Sequence, residues 1–152
     1  MDPYPWTLLM IDPEEIPAFT AKMAGCKYRL GAKAHSLGDQ LSEVDEIDCS
    51  GFVRLLVFKA CGVVLPDGSW NQGQYLREHG FKVSRPIDCF RRDGYLRVLV
   101  MRAKDGRPGH IAFCLNGRTY ESYGGHGPGS RLFTMLTTFQ RTATVYVLAR
   151  GK

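Results

Sequence analysis

Apolar residues recur at helical spacing directly after Asp48, and this pattern predicts a buried α-helix. Its wide apolar face comprises Phe52, Val53, Leu55, Leu56 and Phe58. Asp48 is a residue type that caps helix N-termini, and glycine, here Gly62, is typical just past a helix C-terminus. The predicted helix therefore begins near residue 49 and ends at Gly62.

Two shorter helices and four strands are predicted on either side of this helix. One helix opens at Glu15-Ile16-Pro17 and closes near Gly25, and the other runs from about Asn71 to His79. Between the first two helices lies a polar loop, residues 31 to 47, with His35, Asp39, Glu43, Asp45 and Glu46. Strands are predicted near 95–101, 110–115, 118–123 and 143–149. Helices that precede a mostly antiparallel sheet give an α+β fold.

The second and third predicted strands should form a hairpin, because Asn116-Gly117 between them is a strong two-residue turn signal. This turn sets His110 opposite Tyr123. Since successive side chains of a strand point to opposite faces, His110 and Glu121 share one face as diagonal neighbours. We therefore expect the Glu121 carboxylate to lie within reach of the imidazole.

Cys49 is a candidate nucleophile because it falls at the N-terminus of the predicted long helix. The unpaired N–H groups and the positive dipole end of a helix stabilise thiolate relative to thiol, and the thiolate is the reactive form. A small buried hydrophobic residue is the ordinary alternative for a cysteine. His110 as base and Glu121 as orienting group would complete a catalytic set. The contact between Cys49 and His110 is an assumption at this point.

A second histidine follows the hairpin, in the segment from Tyr123 to Gly129. The glycines around His126 suggest a mobile loop, and a loop histidine holds a base less firmly than a carboxylate on a strand. Glu121 is therefore the favoured orienting residue, and His126 is its rival.

Several motifs occur in the order found in the NlpC-type cell-wall cysteine peptidases, the bacterial branch of the papain-like fold. Asp48 to Val53 resembles the nucleophile segment of that family. Gly25 to Gly31 is similar to its Gly-x-x-Tyr-x-x-Gly segment, and Gly109 to Ala112 is similar to its base strand. One departure is Arg92 to Leu96, where the family usually has a Gly-Asp-hydrophobic segment. The resemblance covers about residues 17 to 149.

The resemblance implies a role for each candidate residue. Cys49 would attack an amide carbonyl, His110 would act as general base, and Glu121 would hold the ring. Tyr28 would help to shape the oxyanion and substrate site. Two further residues would help to bind the amine of the stem peptide, namely Asp48 and Ser50.

The implied activity is hydrolysis of amide bonds in peptidoglycan stem peptides through a thioester acyl-enzyme, at the bond from γ-D-glutamate to the diamino acid. The implied fold is a papain-like core with N-terminal helices packed on the sheet. Two alternatives stay open. The same core serves lipid acyltransferases and amidases, for which an apolar groove or membrane anchor would be expected. A catalytically silent wall-binding module is the other alternative, although the intact candidate set argues against it.

Composition indicates one domain and excludes several function classes. The 152 residues fit a single domain over 1–152, with 1–16 as an N-terminal extension. The net charge of +5 is compatible with an acidic cell wall. Scattered basic residues without a recognisable module argue against nucleic acid as a partner. Five cysteines without a CxxC pair argue against a zinc site, and no cofactor is predicted.

The sequence contains no run of eighteen apolar residues and no visible secretory signal, so no membrane span is predicted. Action on the bacterial wall, in the periplasm or outside the cell, would then require delivery by a route other than Sec, or a leader that has been trimmed. A phage-encoded lysin and a secreted antibacterial effector both fit this expectation. An effector would call for an immunity protein or inhibitor as partner.

Overall fold

The structure is a computed structural model that describes residues 12–34, 36–38, 40–103 and 109–149. Most of the predicted N-terminal extension lies outside the described residues. So do His35 and Asp39 of the predicted polar loop.

Four α-helices are present among the described residues, and three of them match predicted helices. They are α1 (Ile16–Lys22), α2 (Cys49–Cys61), α3 (Ser69–Glu78) and α4 (Thr138–Thr142). Three single turns of 3₁₀-helix accompany them, at Pro13–Glu15, Leu41–Glu43 and Pro86–Phe90. Helix α4 was not predicted, because five residues are too few to show a helical period. The side chain of Thr137 caps it by accepting from the Gln140 N–H at 3.1 Å.

Six strands form one sheet in the order β1-β6-β2-β3-β4-β5, and every neighbouring pair is antiparallel. The strands are β1 (Val83–Ser84), β2 (Leu96–Met101), β3 (His110–Leu115), β4 (Arg118–Tyr123), β5 (Gly127–Leu132) and β6 (Thr144–Ala149). The predicted α+β class, with N-terminal helices on an antiparallel sheet, is confirmed.

The predicted boundaries of α2 are confirmed at both ends. The Asp48 carboxylate accepts a hydrogen bond from the Gly51 N–H at 2.6 Å, which caps the first turn. Gly62 closes the helix in the left-handed conformation, with φ of 71°. Gly51 is required by space, since a Cβ there would lie 2.9 Å from the Ala32 carbonyl oxygen. The local sequence therefore fixes where the first residue of α2 lies.

The predicted hairpin between β3 and β4 has the expected turn and register. Asn116 and Gly117 both have positive φ, 49° and 81°, as a type I′ turn requires. Leu115 pairs with Arg118, and Phe113 pairs with Tyr120. The same register places Glu121 on the face that carries the His110 side chain.

The sequence prediction for the segment around residues 123 to 129 is wrong in part, because the turn that holds His126 is short and a strand follows it. It was expected to be a mobile loop, whereas Gly127–Leu132 is strand β5, paired with β4 along its whole length. Glycine is needed because the strand runs against the first connection of the chain. A Cβ on Gly127 would lie 2.2 Å from the Cys26 carbonyl oxygen. Close approach of two backbones explains the glycine at position 127.

The sheet has a core on each face. Helix α2 packs on β3 and β4, α1 packs on β4 and β5, and α3 packs on β2. The buried residues on this face include Phe52, Leu56, Ile111 and Phe113. The opposite face is covered by α4 and the 3₁₀ turn at Pro86–Phe90, over a smaller core that includes Cys89, Leu99, Cys114, Phe133 and Val145.

The longest helix among the described residues, α2, has thirteen residues. Within that part of the chain, no helix has both the length and the apolar character needed to cross a bilayer.

Candidate active site

Cys49 and His110 lie together at one end of the molecule. Cys49 is the first residue of α2, and His110 is the first residue of β3, against which α2 packs. Cys49 lies close enough to the imidazole of His110 to contribute to the raised pKa of that ring. The structure thus brings close together two residues whose contact the sequence left as an assumption, and their catalytic roles stay predictions.

Glu121 binds the other side of the imidazole. Its Oε1 atom lies 2.9 Å from Nε2 of His110, as expected for diagonal neighbours on β3 and β4. Since Nε2 faces the carboxylate, Nδ1 is the ring nitrogen available to the Cys49 sulfur. Glu121 is fully buried, whereas the His110 side chain is 21% exposed. Cys49 is also buried, with 6% of its surface exposed, so the imidazole is the most exposed of the three groups.

Two residues that the sequence did not predict hold Glu121 in place. Arg131 lies on β5, and its Nη2 is 2.8 Å from Oε1 of Glu121. Thr119, the residue paired with Arg131 across the two strands, hydrogen-bonds Oε2. Arg131 also lies over the ring of Tyr123, 4.4 Å from its centroid. Recognition of β5 as a strand would have revealed the pairing of Thr119 with Arg131.

These contacts determine the charges at the centre of the site. Burial raises the pKa of Glu121, but hydrogen bonds from His110, Arg131 and Thr119 outweigh it and hold the pKa at about 2. Burial lowers the pKa of His110, but its hydrogen bonds to Cys49 and Glu121, with their negative charges, raise the pKa to about 9. The site therefore holds a protonated imidazole beside the Glu121 carboxylate near neutral pH.

Phe139, from α4, completes the surroundings of the imidazole. Its ring meets the His110 ring edge to face, with the centroids 4.8 Å apart. Because α4 was not predicted, this contact was not anticipated. The aromatic edge limits the orientations that the imidazole can take.

Tyr28 lies close to the candidate nucleophile. Burial raises the pKa of Tyr28, and the nearby negative charges of Cys49 and Asp48 raise it further. The phenol therefore stays protonated and able to donate a hydrogen bond. The role that the resemblance implies for Tyr28 stays a prediction.

Asp48 and Ser50, predicted to contact the substrate amine, are both buried. The Ser50 hydroxyl donates to Oδ1 of Asp48 at 3.2 Å, the oxygen that also caps α2. The Gly31 N–H donates to Oδ2 at 3.1 Å, and Lys33 Nζ lies 3.9 Å from the same oxygen. Both carboxylate oxygens thus have partners within the chain. The contact with an amine stays a prediction.

His126 lies in the turn between β4 and β5, away from the imidazole of His110. Its ring stacks on Tyr123 with centroids 4.6 Å apart, and its Nδ1 lies 3.2 Å from the Gly127 carbonyl oxygen. The group bonded to Nε2 of His110 is Glu121. The geometry therefore favours Glu121 over its rival.

Gln72 ties the first turn of α2 to its surroundings. The residue lies on α3, fully buried, and its Nε2 donates to the carbonyl oxygens of Ser50 at 2.9 Å and Pro66 at 3.0 Å. The helix that carries Gln72 was predicted, but this contact was not. It fixes the backbone next to Cys49.

No group of three or more His, Cys, Asp or Glu side chains within the described part of the chain is arranged to hold a metal ion.

The ion pair between Arg131 and Glu121 gives a testable prediction. Replacing Arg131 by methionine should lower kcat roughly tenfold with little change in KM, because Glu121 keeps two partners and the arginine is 44% exposed. Arg131→Lys should restore part of the loss. The matched control is Arg118→Met, on the neighbouring strand and bonded to Ser130. Equal losses in both variants would contradict a specific role for Arg131.

No protein-family model and no curated protein matches the sequence. Solved structures do match the fold. The chain is similar to a lipoprotein-like NLP/P60 family protein from Staphylococcus aureus subsp. aureus Mu50, with a TM-score of 0.59 and 17% identity. The match covers 99% of this chain and 45% of that protein.

Two proteins from Trichomonas vaginalis are also similar to the chain. NlpC2 gives a TM-score of 0.60 at 14% identity, with 95% of this chain and 50% of that protein covered. NlpC1 gives a TM-score of 0.60 at 16% identity, with 97% and 48% covered. The chain spans about half the length of each of these three proteins. It therefore has an α+β, papain-like fold of the NlpC/P60 type.

Proposed function

We propose that the chain is a cysteine peptidase that hydrolyses amide bonds in peptidoglycan stem peptides. One observation carries the proposal. Cys49, at the N-terminus of α2, lies close enough to His110 to affect the pKa of its ring, and His110 in turn binds the buried carboxylate of Glu121 at 2.9 Å. The NlpC/P60-type fold supports the same activity, since members of that family are typically wall-directed cysteine peptidases.

In this proposal the Cys49 thiolate attacks the amide carbonyl carbon and forms a tetrahedral intermediate. The backbone N–H of Cys49 and the hydroxyl of Tyr28 stabilise the oxyanion, a contribution of about 3 kcal/mol for each donor. Protonated His110 gives its proton to the leaving amine as the C–N bond breaks, which leaves a thioester on Cys49.

The second half of the reaction frees the enzyme. Neutral His110 takes a proton from water, and the resulting hydroxide attacks the thioester carbonyl. The C–S bond then breaks, which releases a carboxylic acid and restores the pair of thiolate and imidazolium. Glu121 keeps the ring in position throughout and does not itself transfer a proton.

The bond assigned is that between γ-D-glutamate and the diamino acid, which follows from the resemblance of residues 48 to 53 to the family segment. Asp48 and Ser50 would contribute to binding of the stem-peptide amine. The wall is then the site of action, whether the protein is a phage lysin or a secreted antibacterial effector with an immunity partner.

Digestion of purified sacculi, freed of attached polymers, tests this proposal. The unmodified protein should release fragments in which mass spectrometry finds a new diamino acid amine and a new glutamate carboxylate. Cleavage at another amide bond of the wall would keep the peptidase class and overturn the bond assignment. Absence of any cleavage, with acyl transfer from lipid vesicles instead, would favour the acyltransferase alternative.

A further inference from the structure

A small cavity lies between α3 and the strands β2 and β6. Its volume is about 100 Å³, and the side chains that give it chemical character are Trp70, Gln74, Arg77 and Arg102. We refer to it as the arginine pocket. It is separate from the group formed by Cys49, His110 and Glu121, and the proposed reaction does not use it.

The two arginines of the pocket have no carboxylate partner among the described residues. Most other arginines in that part of the chain are in ion pairs, namely Arg29, Arg54, Arg85, Arg91, Arg97 and Arg131. Glu78 follows Arg77 directly on α3, but adjacent residues of a helix do not face each other. Two exposed guanidinium groups thus line one cavity, and neither forms an ion pair with a carboxylate of the described residues.

Trp70 holds one of these guanidinium groups in place. The Arg102 guanidinium carbon lies 4.2 Å from the centroid of the Trp70 ring, a cation–π contact. The indole is nevertheless 48% exposed. It therefore leaves apolar surface beside a fixed positive charge, which suits a ligand that carries both an anion and aliphatic carbon.

The pocket borders the candidate active site. Arg102 follows Met101, the residue that pairs with His110 across β2 and β3. Gly109 directly precedes His110, and a Cβ on Gly109 would lie 2.7 Å from the Ser69 hydroxyl oxygen. The first turn of α3, which carries Trp70, is thus in contact with the start of the strand that carries the candidate base.

We propose that the arginine pocket binds the phosphodiester groups of a polyol-phosphate polymer of the cell wall. The planar fork of a guanidinium matches two oxygens of a phosphate, and two such forks at one cavity favour this anion. The polyol carbons would contact the exposed part of Trp70. The choice of a wall polymer as ligand rests on the proposed function, while the preference for a phosphate rests on the pocket itself.

Binding is tested with a short poly(glycerol phosphate) oligomer and isothermal titration calorimetry, on protein in which Cys49 is replaced by alanine. We expect saturable binding that weakens as salt rises. The added pair Arg77→Gln and Arg102→Gln should lower the affinity at least tenfold. It should also reduce the slope of log affinity against log salt by about one to two, as expected when about two phosphate contacts are lost.

The matched control removes the same charge elsewhere, through Lys22→Gln and Arg92→Gln, two exposed residues outside the pocket. Its affinity should stay within twofold of the parent. Equal loss in both double variants would overturn the proposal, as would absence of saturable binding. Tighter binding of a single-stranded oligonucleotide with the same number of phosphates, lost with the same two arginines, would assign the pocket to nucleic acid instead.

The binding experiment can fail or succeed separately from the test of the peptidase proposal. Binding is measured on protein that lacks the candidate nucleophile, whereas cleavage is measured with the unmodified protein on sacculi that lack attached polymers. Circular dichroism of each variant verifies that it is folded before its affinity is compared.

Discussion

Cleavage of stem peptides should fall by roughly four orders of magnitude or more when Cys49 is replaced by alanine, the scale seen when the nucleophile of a catalytic triad is removed. The sulfur forms the bond to the acyl group, and Cys49 is the cysteine among the described residues that affects the pKa of His110. The rate at which fragments leave the sacculi measures the effect.

Cys89→Ala is the matched control for this variant. It also removes a buried sulfur, but from the smaller core on the opposite face of the sheet. It should keep cleaving stem peptides while losing some stability from the cavity that it leaves. Undiminished cleavage by the Cys49 variant would move the chemistry to another group, and would remove the basis of the mechanism.

The second large effect is expected for Glu121→Gln, which should lower kcat by up to about 10⁴, the loss seen when the orienting carboxylate of a triad becomes an amide. Glutamine keeps the shape of the side chain but loses the negative charge that faces His110 and Arg131. The amide nitrogen of glutamine is itself a donor and would face the donor groups of His110 and Arg131. The imidazole would therefore lose its preferred orientation. KM should change less than kcat, because the residue is fully buried and reaches the substrate only through His110.

The same substitution should change how stability depends on pH. The folded protein holds the pKa of Glu121 at about 2, below its ordinary value of about 4.5. The carboxylate therefore stabilises the fold above about pH 4.5, and this contribution, roughly 3 kcal/mol, is lost as pH falls toward 2. Urea unfolding at pH 5 and pH 2 should show a smaller acid-induced loss in Glu121→Gln. An equal loss would mean that the buried carboxylate is not linked to folding.

The parts of the site that the sequence could predict are those set by local signals. Asp48 as the N-terminal cap and Gly62 as the C-terminal cap determine where α2 begins and ends, and therefore where Cys49 lies. The Asn116-Gly117 turn fixed the register that brings Glu121 to His110. In each case, residues that are neighbours in the chain determine the geometry, so a single sequence is sufficient.

The residues that were missed depend on contacts between distant segments. Strand β5 opens with Gly127, Pro128 and Gly129, which lack the alternation of apolar and polar residues that predicts a strand. It is a strand because it pairs with β4 at the sheet edge. Without β5, the contact of Arg131 with Glu121 could not be inferred. Phe139 was missed for a similar reason, since α4 is too short to show a period.

Direct titration of His110 tests the central claim that its imidazole lies between Cys49 and Glu121. Nitrogen-15 NMR of the unmodified protein should give His110 a pKa near 9. The pKa should fall in Cys49→Ala and in Glu121→Gln, because burial remains while one stabilising anion is lost. An ordinary pKa near 6.5 that neither substitution moves would show that the three groups do not form a hydrogen-bonded chain, and would contradict the account.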